Sequence, residues 1–208
     1  MASTTFTYAI LTGADTVPGS IKQWANSGQI PADQILEEAQ QWIYARLRVR
    51  EMIYSESVSI AEGASEVNYP VDFQDPLSFK LDGDQDDLDY VQENLLGRTY
   101  DDADHTVYTG RPQRWAVFDG MVQFDVAADD AYTGRLVYYG TPPLLSGSVQ
   151  TNFLTDRYGF LLRKACLALA YDHRKRMDEA KAEFLLAEGH IAEVNMLADM
   201  GRRGQILR

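Results

Sequence analysis

The densest cluster of side chains able to do chemistry is the run 81–93, LDGDQDDLDYVQE. Hard divalent cations take clustered carboxylates, and a twelve-residue calcium loop draws side-chain ligands from positions 1, 3, 5 and 12. Counting from Asp82 puts Asp84 at position 3, Asp86 at 5 and Glu93 at 12, most of that ligand set. Two positions oppose it: Asp87 stands at 6, where the sharp turn needs glycine, and Asp89 at 8, where an apolar core residue is usual. The flank LSFKL reads as a strand rather than an entering helix. These residues favour an exposed loop of mutually repelling carboxylates that holds no structural metal. A calcium-dependent binding module using Asp82–Glu93 is the alternative.

Other reactive side chains are sparse. His105, His173 and His190 have no Cys or His partner at zinc-ligand spacing. His173, in DHRKR, and His190, after Gly189, read as solvated helix residues. Cys166 is the single cysteine, so no internal disulfide can form, and its place in an apolar helical pattern makes it a core thiol. G-x-S-x-G, Walker A, H-E-x-x-H and the dinucleotide glycine fingerprint are all missing. A bare Asp/Glu pair acting as a hydrolase is the one chemistry that motif rules leave open. No catalytic residue and no cofactor are expected.

The elements that must position these residues fall into three stretches. The chain has 208 residues, 45% of them apolar, enough for one sizeable core or two small ones. The start, MASTTFTYAILTGAD, lacks a basic region, and no apolar run reaches membrane-spanning length, so neither a signal peptide nor a membrane partner is expected. Residues 56–104 hold 14 Asp and Glu against 2 Lys and Arg, and carry the whole net charge of −12. Such a surface opposes tight binding to phosphates but suits one past which DNA slides.

Ser20-Ile-Lys-Gln23 fits a capping box and starts a short helix that stops near Asn26-Ser-Gly28. Pro31 opens a longer helix, reaching to about residue 52, with Ile35, Ala39, Ile43 and Leu47 on its buried face. Arg46, Arg48 and Arg50 suit its C-terminal dipole. The period then changes to two. Val58 and Ile60, then Val67 and Tyr69 across AEGAS, read as a hairpin, and LSFKL as a further strand. Asp119-Gly120, between RWAVF and MVQFDV, is the strongest hairpin signal, and RLVYY is the third strand of a meander. Pro142-Pro143 ends the sheet, and Asn152 caps a long helix to about residue 173. Its stripe is Leu154, Tyr158, Leu161, Ala165 and Leu169. In the last helix Met177, Ala180, Phe184, Ala187, Ile191, Val194 and Ala198 form a seam, and Gly201 stops it. Trp24, Trp42 and Trp115 read as core.

The fold class is therefore α+β. Residues 1–54 and 146–200 form a helical bundle, residues 55–145 a β-rich insertion within one domain, and residues 201–208 a C-terminal tail.

In this order the parts resemble the head–tail adaptor (connector) proteins of tailed bacteriophages. The resembling segments are RWAVFDGMVQFDVAADDAYTGRLVYYGTPPLL, TNFLTDRYGFLLRKACLALAY and the opening helix DQILEEAQQWIYARLRVREM. The resemblance implies a non-enzymatic ring of about twelve copies in the virion neck, assembled in the host bacterial cytoplasm. The portal protein sits on one face and a tail, stopper or nozzle protein on the other. Packaged DNA passes the central channel without specific binding. Such adaptors grip the portal with a C-terminal extension, which here is Arg202, Arg203, Ile206, Leu207 and Arg208.

Overall fold

The computed structural model describes residues 6–96 and 108–206, with side chains as far as Gly201. The chain forms two compact units, Met1–Glu51 with Pro142–Arg208, and Met52–Thr141. The first is helical and the second is built of strands, an α+β fold with its strands in the middle of the chain.

In the helical unit, α1 (Tyr8–Leu11) and α2 (Ile21–Trp24) are single turns. Ser20 caps α2, its Oγ accepting from the Gln23 N–H at 3.1 Å. The return bond is displaced by one residue, because Gln23 Oε1 accepts from Gly19. α3 (Ala32–Tyr44) has Pro31 as its N-cap, and it ends well short of residue 52. Ile35, Ala39, Ile43 and Leu47 are all buried. Arg46 and Arg48 lie just beyond the helix and fold back, donating to the carbonyls of Trp42 (3.2 Å) and Tyr44 (3.3 Å). They serve the dipole as caps rather than as helical residues. Trp24 and Trp42 are half-buried rather than core, each beneath a guanidinium, Arg163 and Arg46 respectively.

The single helix expected over 152–173 is two, α4 (Phe153–Arg157) and α5 (Gly159–His173), parted at Tyr158. Hydrogen bonds from Tyr158 N–H to Leu154 O and from Leu162 N–H to Tyr158 O bridge the break, so it is a kink rather than a turn. Gly159 packs against Phe6, where a β-carbon would meet the ring at 3.1 Å. With no proline in this stretch, the apolar period reads straight through it. α5 is buried on most sides and touches α2, α3, α4 and α6. α6 (Met177–Ile206) buries Ala180, Ala187 and Ile191, but Met177 at the head of the expected seam is exposed. α6 also runs past Gly201, its expected stop. Gly201 does not take the left-handed conformation that ends helices, so it is simply a helical glycine.

Asn152 ties this unit together. Its Oδ1 accepts from the N–H groups of Leu154 and Thr155, and Thr155 Oγ1 accepts in return from the Asn152 N–H. Its Nδ2 donates to Tyr44 Oη (3.0 Å) and to Gln40 Oε1 (3.3 Å). Gln40, fully buried, accepts as well from the Leu145 N–H at 2.7 Å. Asn152→Ala removes a cap and one hydrogen bond each to Tyr44 and Gln40, so it is expected to destabilise the protein by about 2–4 kcal/mol. Urea unfolding checks this as a lowered midpoint at unchanged slope. Asn152→Asp, which keeps the cap acceptor, should recover part of the loss.

The strand unit comprises β1 (Ile53–Ile60), β2 (Glu66–Asn68), β3 (Phe73–Leu81), β4 (Asp89–Tyr90), β5 (Thr109–Gly110), β6 (Arg114–Phe118), β7 (Met121–Phe124), β8 (Ala127–Ala128) and β9 (Tyr132–Gly140). Sheet orders are β1-β9-β3, β2-β7-β6-β4 and β5-β8. Asp119 and Gly120, at φ 48° and 81°, make the two-residue turn between β6 and β7. Two expected pairings are overturned. β1 and β2 do not form a hairpin: β1 pairs with β9 and β2 with β7. Nor does β9 follow β7 in a meander, since it is the central strand of the other sheet. Alternation in sequence marks a strand and its buried face, but not its partner.

Side chains from the two larger sheets share one core, with Val58, Ile60, Phe79 and Leu136 meeting Trp115, Val122 and Phe124. Phe79 is held between the rings of Trp115 (5.7 Å) and Phe124 (5.5 Å). β3 is an edge strand that contains Pro76 and two register shifts, which is where proline is tolerated in sheets. β1, at the opposite edge, pairs over all eight residues without a bulge.

Candidate functional site

The acidic loop leaves the end of β3 and returns at Leu88, which is buried and whose N–H donates to Phe79 O at 2.7 Å. Its carbonyl accepts from Trp115 Nε1 at 3.2 Å. This is the backbone oxygen that a calcium loop would use at position 7, and here it is committed to an indole. Asp84 pairs with Arg111, and Lys80 Nζ holds the Gln85 carbonyl at 2.7 Å. Asp89 lies in β4, paired in parallel with β6. Asp82 is exposed, and Asp86, Asp87 and Asp89 are exposed along a shallow groove of about 440 Å³. Among the described residues, no three His, Cys, Asp or Glu side chains converge to hold a metal. Residues 97–104 of the acidic stretch lie outside the described residues.

A calcium titration is expected to leave the fluorescence of the tryptophans unchanged up to millimolar concentration. Trp115 touches the loop through Leu88, so it would report any closure there. A dissociation constant in the micromolar range would reverse the reading.

Neither of the two described histidines is brought into a site. His190 stacks edge-on against Phe160 (5.4 Å) with Glu193 at 3.8 Å, His173 closes α5, and His105 lies outside the described residues. Cys166 is fully buried, and burial pushes its thiol pKa up, away from the thiolate a nucleophile needs.

Of the C-terminal positions, Arg202, Arg203 and Ile206 belong to the last turns of α6 instead of a separate tail. Leu207 and Arg208 lie outside the described residues. Close to this end, Val49, Tyr158, Val194, Leu197 and Ala198, with Arg50 and Glu51, line a groove of about 350 Å³. Burial, then the nearby Glu51, raises the Tyr158 phenol pKa.

A surface that the sequence reading passed over is the outer side of α6. Leu185, Leu186, Met196, Leu197 and Met200 are each more than half exposed, between 51% and 69%. Five large apolar side chains on one helix exceed the scattered exposure normal for a surface. The signal was present, because Leu185, Ala192 and Met196 are spaced by seven and four. It went unread because the buried seam satisfied the same helical period.

Among the described residues the chain thus offers exposed apolar surface rather than a converging set of reactive groups. No curated protein matches it. A family model, that of the SU10 adaptor protein, matches residues 9–207, which takes in both units from α1 to the last turn of α6. The chain therefore belongs to the SU10 adaptor protein family, a family of structural phage head–tail adaptors.

Proposed function

We propose that this protein forms a closed ring of about twelve copies beneath the portal and joins the capsid to the tail. The observation that carries the reading is the family match across nearly the whole chain. Ring closure requires heterologous contacts, in which two different patches of the subunit meet. The portal protein occupies one face, a tail, stopper or nozzle protein occupies the other, and the ring is assembled in the host cytoplasm before joining the virion. Electron microscopy of the assembled neck tests this: a ring at this level is expected, and two-fold pairs in its place would contradict it.

The strand unit fits the passage of DNA. Residues 52–141 hold 18 Asp and Glu against 5 Lys and Arg. Lining the channel, they meet phosphates with like charge and little adhesion. No helix among the described residues is long and apolar enough to cross a membrane. The contact with the portal is assigned to Arg202, Arg203 and Ile206, in the last turns of α6, and to Leu207 and Arg208, which follow them in sequence. The arginines suit carboxylates, and Ile206 with Leu207 suits an apolar slot.

A further inference from the structure

α6 is apolar on two sides. One faces the bundle through Ala180, Ala187 and Ile191. The other carries Leu185, Gly189, Ala192, Met196 and Met200, all exposed. Steps of three and four residues keep these five on one stripe of the helix surface. An interior helix glycine costs about 1 kcal/mol relative to alanine. Gly189 has no conformational reason to be there, since its φ is not left-handed. A β-carbon at that position would meet nothing within 4 Å. What a bare helix surface between Leu185 and Met196 does permit is the close approach of another helix.

The stripe itself indicates which helix. Four of its five members match in size about the point between His190 and Ile191, and the fifth, Met200, falls over Lys181. Laid antiparallel on a copy of itself about that point, Leu185 falls over Met196 and Gly189 over Ala192. Asp178, in the first turn, falls opposite position 203, an arginine near the last turn. Each contact then occurs twice, as a self-complementary two-fold interface requires. Parallel pairing would keep the size layers but set Asp178 on Asp178 and position 203 on itself, like charge on like, so the charge match selects the antiparallel arrangement. We propose that the free protein is a two-fold dimer in which the outer stripe of α6 is covered by the same stripe of a second copy, running antiparallel. The dimer is a state before assembly, and it stands or falls separately from the ring. It engages the arginine positions assigned above to the portal, so docking has to open it.

Light scattering during size exclusion, at tens of micromolar protein, should give twice the chain mass of 23.4 kDa. Leu185→Glu combined with Met196→Glu should halve that mass with an unchanged circular dichroism spectrum, because both side chains are exposed. Single cysteines then read the register. In the antiparallel pairing the two copies of Ala192→Cys lie roughly 6 Å apart at Cα, within disulfide reach. The two copies of Leu185→Cys are offset by roughly 16 Å along the axis and cannot join. Buried Cys166 does not compete. Oxidation should convert Ala192→Cys to a covalent dimer and leave Leu185→Cys single. A monomeric mass, a mass above the dimer, or cross-linking of Leu185→Cys as readily as Ala192→Cys overturns the proposal. A monomeric chain that still attaches to portal-bearing heads would sink the dimer and leave the neck reading standing.

Discussion

Deleting residues 202–208 is expected to abolish attachment to portal-bearing heads while leaving the fold in place. The deletion shortens α6 by its last turns and touches no buried side chain among the described residues. Its thermal midpoint should match that of the full chain. The loss of attachment should be large. Charge-assisted hydrogen bonds from arginine contribute about 1.5–3 kcal/mol each. Burying Ile206 and Leu207 contributes a similar amount per side chain. Even with the cost of ordering the arm, several kcal/mol in total corresponds to a loss of about a hundredfold or more. Raising salt should weaken the intact contact as well. Arg202→Lys with Arg203→Lys should weaken it partly, because lysine keeps the charge but not the planar fork. Heads that bind the truncated, folded chain normally would refute the assignment.

Gly134→Ala is expected to destabilise the strand unit by about 3 kcal/mol or more. Gly134 is the third residue of β9, facing Val58 on β1 and Leu81 on β3. A β-carbon there would lie 2.5 Å from Phe79 Cε1 and 2.9 Å from the Lys80 carbonyl oxygen. The ring has no room to retreat, being fixed by Trp115 and Phe124, and the carbonyl belongs to the paired backbone. A loss of that size lowers the midpoint of a unit this small by more than about 10 °C. Scanning calorimetry should show it. Gly147→Ala is the control: its β-carbon would meet nothing, its φ is ordinary, and no change is expected.

What the sequence made legible was local. Ser20 and Asn152 cap helices because their side chains need only the next turn to act. Asp119-Gly120 makes its turn because the two residues alone tolerate positive φ. The switch from helical to strand period marked the two kinds of structure, and Val58, Ile60, Phe118 and Val137 all lie in strands. What stayed hidden depends on distant residues. The partner of β1 is β9, more than 70 positions away, and nothing in AEGAS says that the chain leaves its own sheet there. The kink at Tyr158 goes with a close approach of Phe6 to Gly159, which spacing does not reveal. The end of α6 was misjudged because a glycine is a stop only when the chain turns left-handed there, and at Gly201 it does not. The outer stripe of α6 shares its period with the inner seam, so apolar spacing alone could not say which side is covered.

The two margins of the sheet β1-β9-β3 differ in how well they resist adding another strand. On β3, a proline and two bulges interrupt the backbone, and the returning loop donates the Leu88 N–H to Phe79 O. On β1, eight regular residues end the sheet, and Ser55, Glu56 and Ser57 leave its middle exposed with a single carboxylate. Unprotected edges are where one chain templates another. Misassembly of this protein therefore has a direction. Losses on refolding should grow with concentration, should propagate from residues 53–60, and should fall when a lysine or proline is placed there, at Ser57 for instance.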